Sequence, residues 1–424
     1  MKNRIKIAIA GLGNRGKETY GDALMFLSEK AEIVALAEII PERLQKAAED
    51  FHVPQEMCFN SAEALLKQPK LADAILICTQ DQQHVDHAIP ALEKGYDVLM
   101  EKPISPSLEK CKELLEVAHR TGRKVIVCHV LRYSPFYRKI KDILDSNILG
   151  ELQSIQAIEN VCYWHQAHSF VRGNWRNSDT TSPMILQKCC HDLDLMVWLT
   201  GKQCKQISSF GTLGHFKPEC APEGAAMRCL DNCLAKENCP YDAEKIYISG
   251  KIGIANGNTK WPCSVLTINP TVDSIYEALK TGPYGRCVYY CDNNVVDHQV
   301  VNMEMENGLT ITLTMSAFTA KGGRYMIYMG TQGSMIADMA KNQIEVQPFG
   351  KDSFVIDFNL EGRDGHGGGD AVLIEEFVDE LLNPGQSVCI TSIDASMESH
   401  FMAFASEESR LHNGLSINMD EYRK

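Results

Sequence analysis

Hydrophobic positions in the first 130 residues fall into short runs separated by longer stretches of helical periodicity. The runs cover residues 5–10, 33–37, 74–78, 96–100 and 125–128, and the amphipathic stretches cover 41–51, 61–68, 85–94 and 108–120. Short apolar runs alternating with helices of this length predict βαβ units around a parallel sheet. Such crossovers are right-handed, so the predicted outcome is a doubly wound Rossmann sheet.

After about residue 130 the pattern changes. Residues 134–147 have helical spacing and stop near Gly150, and 152–157 alternate like a half-buried strand. Residues 184–199 are strongly apolar with acids and a histidine inside, which predicts one buried helix. Period-two alternation returns at 309–317 and 324–329, while 213–245 is a polar, Cys- and Pro-bearing insertion with little periodicity. A glycine-rich loop at 362–369 precedes a helix beginning near Asp370, and a last helix over 394–411 stops at Asn413-Gly414. The expected fold class is α/β. A Rossmann domain over 1–130 is followed by a second α/β domain over 131–424, with a large open, mainly antiparallel sheet and the Cys-rich insertion at about 213–245.

The chain's 424 residues exceed one ordinary hydrophobic core, which agrees with two domains. A formal net charge of −13 argues against nucleic acid or an anionic membrane as partner. The first apolar run is too short to span a membrane and passes straight into a glycine motif without a cleavage site, so a cytoplasmic protein is expected. The 16 cysteines are scattered, many in apolar settings such as Cys78 and Cys128, and read as reduced thiols rather than a disulfide framework.

Gly11-Leu12-Gly13-Asn14-Arg15-Gly16 matches G-x-G-x-x-G directly after a strand-like run and at the start of a helical stretch. A second strand follows, with Glu38 at its C-terminal end, which is the context of the dinucleotide fingerprint. Gly11 permits the tight turn, Gly13 lets backbone approach a pyrophosphate, and Gly16 allows close helix–strand packing. A carboxylate at Glu38 accepts ribose hydroxyls and repels a 2′-phosphate, so NAD is expected over NADP, with Arg15 able to blunt that preference.

Met100-Glu101-Lys102-Pro103, a strand ending in Glu-Lys-Pro, resembles the Gfo/Idh/MocA oxidoreductases, relatives of glucose–fructose oxidoreductase and inositol dehydrogenase. Cys78-Thr79-Gln80-Asp81 with His84 resembles the family's Thr-Pro-Asn/Asp-x-x-His loop, with Gln80 replacing proline. Residues 127–132 with Tyr133-Ser134-Pro135 resemble its strand and Arg-Tyr/Phe-x-Pro segment. His191-Asp192-Leu193-Asp194, followed by Trp198-Leu199, resembles its His-Asp-x-Asp helix. The resemblance implies a cofactor site including Asn14, Thr79, Gln80, His84 and Glu101, and a second domain carrying substrate residues and the oligomer interface. Lys102 would hydrogen-bond the reacting oxygen as hydride leaves the carbon, and His191 would exchange its proton. Inositol dehydrogenase-like members carry an aspartate four residues before this histidine. Here that position is Gln187, which cannot titrate, and Lys188 follows it.

Residues 163–176, YWHQAHSFVRGNWR, suit carbohydrate, because aromatic faces stack on sugar C–H surfaces while Arg, His and Asn address hydroxyls. Tyr163, His165, Arg172, Trp175 and Arg176, with Gln187 and Lys188, are the substrate candidates. Cys220, Cys229, Cys233 and Cys239 fall within 20 residues of the insertion and could close a structural zinc site, although C-x8-C-x3-C-x5-C lacks tight C-x2-C knuckles. Ordinary reduced cysteines are the alternative. The expected activity is NAD-dependent hydride transfer at a hydroxyl of a sugar, inositol or glycoside, in a homodimer or homotetramer. Glycoside cleavage by elimination with recycled NAD and a non-catalytic NAD-binding sensor are the competing readings.

Overall fold

The computed structural model describes residues 4–359, 366–386 and 389–424. The expectation of a glycine-rich loop at 362–369 therefore falls partly outside the described residues. Among the described residues the strands form two sheets, one of six strands and one of nine.

The first sheet contains β1 (Ile5–Ala10), β2 (Ala31–Ala37), β3 (Cys58–Phe59), β4 (Ala74–Ile77), β5 (Asp97–Met100) and β6 (Val125–Val127). They are arranged β3-β2-β1-β4-β5-β6, all parallel, which is the Rossmann order. Helices cover both faces of a parallel sheet, so central strands are buried throughout. Ala74, Ile75, Leu76 and Ile77 of β4 are all fully buried. Each buried Ile or Leu contributes roughly 1.5–3 kcal/mol of transfer free energy. The helix Leu108–Thr121 starts where Ser107 accepts a hydrogen bond from the Lys110 amide, and it stops at Gly122 with φ +63°.

The second sheet contains β7 (Leu152–Asn160), β8 (Cys204–Thr212), β9 (His298–Met305), β10 (Thr310–Ser316), β11 (Gly323–Gly330), β12 (Gly333–Asp338), β13 (Gln343–Pro348), β14 (Phe354–Asp357) and β15 (Ile417–Asn418). Their order is β14-β13-β12-β11-β7-β10-β9-β8-β15, antiparallel except for the β7–β10 pair. Burial alternates along β10 to β13, as expected of a sheet with one packed face and one open face.

The chain divides into two compact units that are discontinuous in sequence. One comprises residues 1–142, 193–201 and 359–401, and the other 143–192, 202–358 and 402–424. The helix Gly369–Leu382 joins the Rossmann core through Leu373, Ile374, Phe377 and Val378. The second unit has a satellite core under its insertion, built on Phe216, Tyr241, Ile246, Tyr247, Ile275, Leu279 and Cys263.

One predicted element is corrected. Residues 184–199 do not form a single helix; Met184–Gln187 ends at a turn through Lys188 and Cys189, and a second helix runs from Cys190 to Thr200. Apolar content reports that the stretch is buried, but not where its hydrogen-bond ladder is interrupted. No helix among the described residues is long and apolar enough to cross a membrane.

Candidate functional site

The glycine loop leaves β1 with Gly11 at φ +89°, where a Cβ would lie 2.5 Å from the Cys78 carbonyl oxygen. At Gly16 a Cβ would lie 1.9 Å from the Gly11 carbonyl oxygen. At Gly13 a Cβ would meet nothing within 4 Å. Two glycines are therefore required by the loop's own packing, while the third faces open space. The segment after the loop is a π-helical turn, Asn14–Gly21, continued by Asp22–Met25. Glu38 is buried and accepts hydrogen bonds from the Leu12 amide at 2.7 Å and the Ile40 amide at 3.0 Å. The acid at the end of β2 thus holds the glycine loop itself, and each oxygen retains a further acceptor site.

Arg15 turns toward the opposite end of the loop. Its Nε donates to Glu101 at 2.6 Å, and its Nη2 donates to Asp370 and to the Tyr20 hydroxyl. Tyr20 in turn donates to Glu101 at 2.7 Å, and His366 pairs with Asp370 at 2.8 Å. Burial pushes the Glu101 carboxyl up, but the charges of Arg15 and Lys102 and the bonds from Arg15 and Tyr20 outweigh it and hold it below the usual range. Asp370 is likewise held far down by Arg15 and His366 against its burial.

The loop after β4 is tied internally. Thr79 Oγ1 lies 3.1 Å from His87 Nδ1, and Gln80 caps the turn Asp81–Gln83 in a reciprocal box with Gln83. His84 is buried, its Nδ1 donating to the Pro103 carbonyl at 2.7 Å and its Nε2 lying 3.1 Å from the Thr79 carbonyl. The Lys102 amide donates to the Glu101 carboxylate at 3.0 Å. In this unit, then, the structure assembles the glycine loop, Glu101, Lys102 and the 79–84 loop around the C-terminal ends of β1, β4 and β5. Ligands of open α/β sheets bind at such strand ends.

In the other unit, β7 and β11 place Glu159 directly opposite Arg324. Arg324 makes a bidentate pair with Asp192 at 2.7 and 3.0 Å and reaches Glu159 at 3.0 Å, and Lys188 Nζ is 3.4 Å from Glu159. Two cations and two carboxylates thus compensate one another beside His191, which stands in the first turn of the helix from Cys190. Gln187 is buried at the end of the preceding short helix, so the break at Lys188–Cys189 interrupts the one-turn relation between positions 187 and 191.

The aromatic stretch splits. His165 packs against Trp164 (5.7 Å between ring centroids) and Trp261 (5.0 Å), and Tyr163 meets Tyr241 at 6.2 Å. Trp175 stands 6.2 Å from Phe170. Arg176 forms a bidentate ion pair with Asp292 at 2.8 and 3.0 Å. Arg172 is fully buried, donating to the carbonyls of Arg286 and Tyr241 at 2.7 Å each and contacting Cys229 Sγ at 3.4 Å. It tethers the insertion to the following segment instead of facing solvent.

The zinc expectation is corrected. Among the described residues no group of three or more His, Cys, Asp or Glu is arranged to hold a metal ion, so Cys220, Cys229, Cys233 and Cys239 do not assemble a site. Cys229, Cys233 and Cys239 instead line a small cavity together with Cys287, Arg172 and Tyr289. Burial raises Cys239 and pushes Cys287 up to about 11, which keeps these as protonated thiols.

Two family models match the chain: an oxidoreductase family with an NAD-binding Rossmann fold over residues 5–129, and the GFO/IDH/MocA C-terminal domain over residues 137–233. Together they span just over half of the 424 residues. The chain belongs to the Gfo/Idh/MocA oxidoreductase family. It is 24% identical over 396 residues to YteT of Bacillus subtilis (strain 168), covering 89% of this chain and 88% of that one. An inositol 2-dehydrogenase of Corynebacterium glutamicum is 27% identical over 208 residues, 49% of this chain and 57% of that protein. The crystal structure of an inositol dehydrogenase homologue from Azotobacter vinelandii complexed with NAD+ shares the fold. Its TM-score is 0.68 at 15% identity, covering 98% of this chain and 97% of that one.

Against the Gfo/Idh/MocA pattern, Gln80 in place of proline gains a local role as a turn cap. The quartet around Glu159 and Arg324 was not read from the sequence, yet a signal exists. In β7, Glu159 shares the inward phase with Ile155 and Ala157, and in β11, Arg324 shares it with Met326 and Tyr328. A charge at the buried phase of a strand calls for an opposite charge on its neighbour.

Proposed function

We propose that this Gfo/Idh/MocA protein transfers hydride between NAD and a carbinol carbon of a sugar, inositol or glycoside. The observation that carries the reading is Gly13, whose Cβ position is open while its neighbours in the motif are closed. That opening is where the backbone would approach a pyrophosphate, and Glu38 stands at the ribose end. Arg15 is drawn toward Glu101 and Asp370, so it does not offset the repulsion of a 2′-phosphate by Glu38, which supports NAD over NADP.

When bound, NAD supplies the hydride acceptor. Gly11, Gly13, Asn14 and Gly16 would hold its phosphates, and Glu101, with Thr79, Gln80 and His84 shaping the adjoining loop, would border its nicotinamide half. The Lys102 ammonium hydrogen-bonds the reacting oxygen and stabilises alkoxide character as the C–H bond breaks. His191 accepts the hydroxyl proton, since Gln187 cannot. Tyr163, His165 and Trp175 offer aromatic faces to the substrate, and Lys188 contributes a donor held by Glu159. The inositol dehydrogenase relative supports a polyol substrate, and the open sheet face supports a homo-oligomer.

Gln187 also favours a second reading. Without the Asp–His pair, oxidation to a transient ketone would acidify the neighbouring C–H. Loss of that proton would expel a glycosidic leaving group, water would add to the resulting enone and the hydride would return, with the Lys188 ammonium held by Glu159 supplying a hydrogen bond and charge. The test is NADH absorbance while sugars, inositols and glycosides are added with NAD to wild type and Lys102→Ala. Accumulation with wild type alone supports the dehydrogenase. Cleaved product without NADH supports the recycled-cofactor reading. Undiminished turnover by Lys102→Ala would remove Lys102 from the chemistry.

A further inference from the structure

The Pro103–Ile104 peptide group, just after Lys102, is gripped on its two sides by two histidines from distant parts of the chain. His84, from the helix His84–Glu93, donates through Nδ1 to the Pro103 carbonyl at 2.7 Å. His400, from the helix Ile393–Leu411, accepts through Nε2 from the Ile104 amide at 2.9 Å. His400 is fully buried, and with Nε2 accepting, its proton must sit on Nδ1, which donates to the Ser396 carbonyl at 2.9 Å. On the other side, the Lys102 amide is held by Glu101, which Arg15 and Tyr20 fix in turn. A lysine ammonium rides on a flexible four-carbon stem, so its aim depends on how firmly its Cα is anchored. The residue 298 positions further on, His400, supplies half of that anchor.

We infer that His400 is a positioning residue for Lys102, acting with His84 as a two-point clamp on the backbone that follows it. The inference rests on the reading of Lys102 as the group that contacts the reacting oxygen. Of the ring's protonation states, only those with a free Nε2 lone pair can accept from Ile104. Burial, reinforced by the neighbouring His129 ring, drives the His400 pKa down to about 3, so the accepting form persists across the physiological range. His129, whose ring meets His400 edge-on at 5.7 Å, is also held neutral by burial and by Arg132 and Lys102. The Arg132–Asp194 pair lies within the same unit, with Arg132 donating to Asp194 at 2.6 and 2.7 Å.

The test uses full-length protein with NAD present and two variants, His400→Leu, which has no acceptor, and His400→Gln, whose amide oxygen can take the Ile104 N–H. Three quantities are read: acylation of Lys102 by acetic anhydride followed by peptide mass spectrometry, hydrogen exchange of the segment containing Ile104, and kcat with KM on a substrate that wild type turns over. His400→Leu is expected to change the Lys102 acylation rate severalfold, speed exchange at Ile104, and lower kcat by about ten- to a hundredfold with KM for NAD nearly unmoved. His400→Gln is expected to restore most of all three. Unchanged acylation and exchange in a folded His400→Leu protein would overturn the inference. So would a loss in both variants that merely tracks the folded fraction. If His400→Leu does not fold, exchange and acylation in His400→Gln against wild type decide, and fast Ile104 exchange in wild type itself would refute the clamp. Undiminished turnover by Lys102→Ala would instead refute the catalytic reading, and the acylation and exchange results would still judge the clamp.

Discussion

Replacing Gly13 with Ala should separate cofactor binding from folding. Gly13 has φ −73° and ψ −164°, extended backbone that alanine adopts, and its added methyl meets no protein atom within 4 Å. The unfolded chain loses entropy on such a change, so stability should be unchanged or rise by roughly 0.4–1 kcal/mol. The methyl would project into the space the pyrophosphate backbone needs, and a tenfold or greater rise in Kd for NAD, about 1.4 kcal/mol, is expected. Gly16→Ala is the opposite case. Its methyl would sit 1.9 Å from the Gly11 carbonyl oxygen, backbone that cannot move aside, and the cost should reach about 3 kcal/mol or more whether or not NAD is present. Calorimetric titration with NAD and thermal melts with and without it distinguish the two. At an NAD concentration a hundred times the wild-type Kd, wild type should gain about 2.7 kcal/mol and Gly13→Ala only about 1.4. Wild-type affinity in Gly13→Ala would refute the assignment of this loop to the cofactor.

Other expectations follow from the same geometry. Arg324→Met strips two buried carboxylates, Asp192 and Glu159, of their shared partner and should cost about 3–5 kcal/mol in urea unfolding; a loss under about 1 kcal/mol would show that the quartet is not acting as a buried network. His168 is held neutral by burial and by Arg172, its pKa lowered from 6.5 to about 3. The unfolded chain takes up that proton first, so stability present above pH 6.5 is lost as pH falls toward 3, by about 2 kcal/mol at pH 5, and His168→Gln should flatten that slope in chemical denaturation. Glu38→Gln removes the charge that repels a 2′-phosphate while keeping an acceptor for the Leu12 amide. The ratio of NADP to NAD affinity should rise about tenfold, and an unchanged ratio would contradict the role given to Glu38.

The Rossmann half was legible because parallel strands buried on both faces leave continuous apolar runs, and because Gly11, Gly13, Gly16 and Glu38 carry local constraints. The nine-stranded sheet was only partly legible. Its strands show weak alternation, and a long insertion separates β8 from β9. The helix over 184–199 was misjudged at Lys188–Cys189, because apolar content marks the stretch as buried without marking where its hydrogen-bond ladder breaks. Arg172 was taken for a substrate group because it lies in an aromatic stretch, whereas its carbonyl partners at Tyr241 and Arg286 lie far along the chain. The contacts of His400 with Ile104 and of Asp370 with Arg15 escaped notice for the same reason. Each closes only when the segment from 366 onward packs back on the Rossmann core.

The central claim is that hydride moves between a substrate carbon and the nicotinamide. The most direct measurement is mass spectrometry of the cofactor after incubating protein and NAD with sugars and inositols deuterated at their carbinol carbons. The account expects deuterium on the nicotinamide of samples quenched during turnover with wild type and none with Lys102→Ala; where the hydride is later returned the label leaves the nicotinamide again, so the quench precedes completion. Saturating NAD binding with no deuterium transferred from any of these substrates would contradict it and leave a nucleotide-binding sensor as the better description.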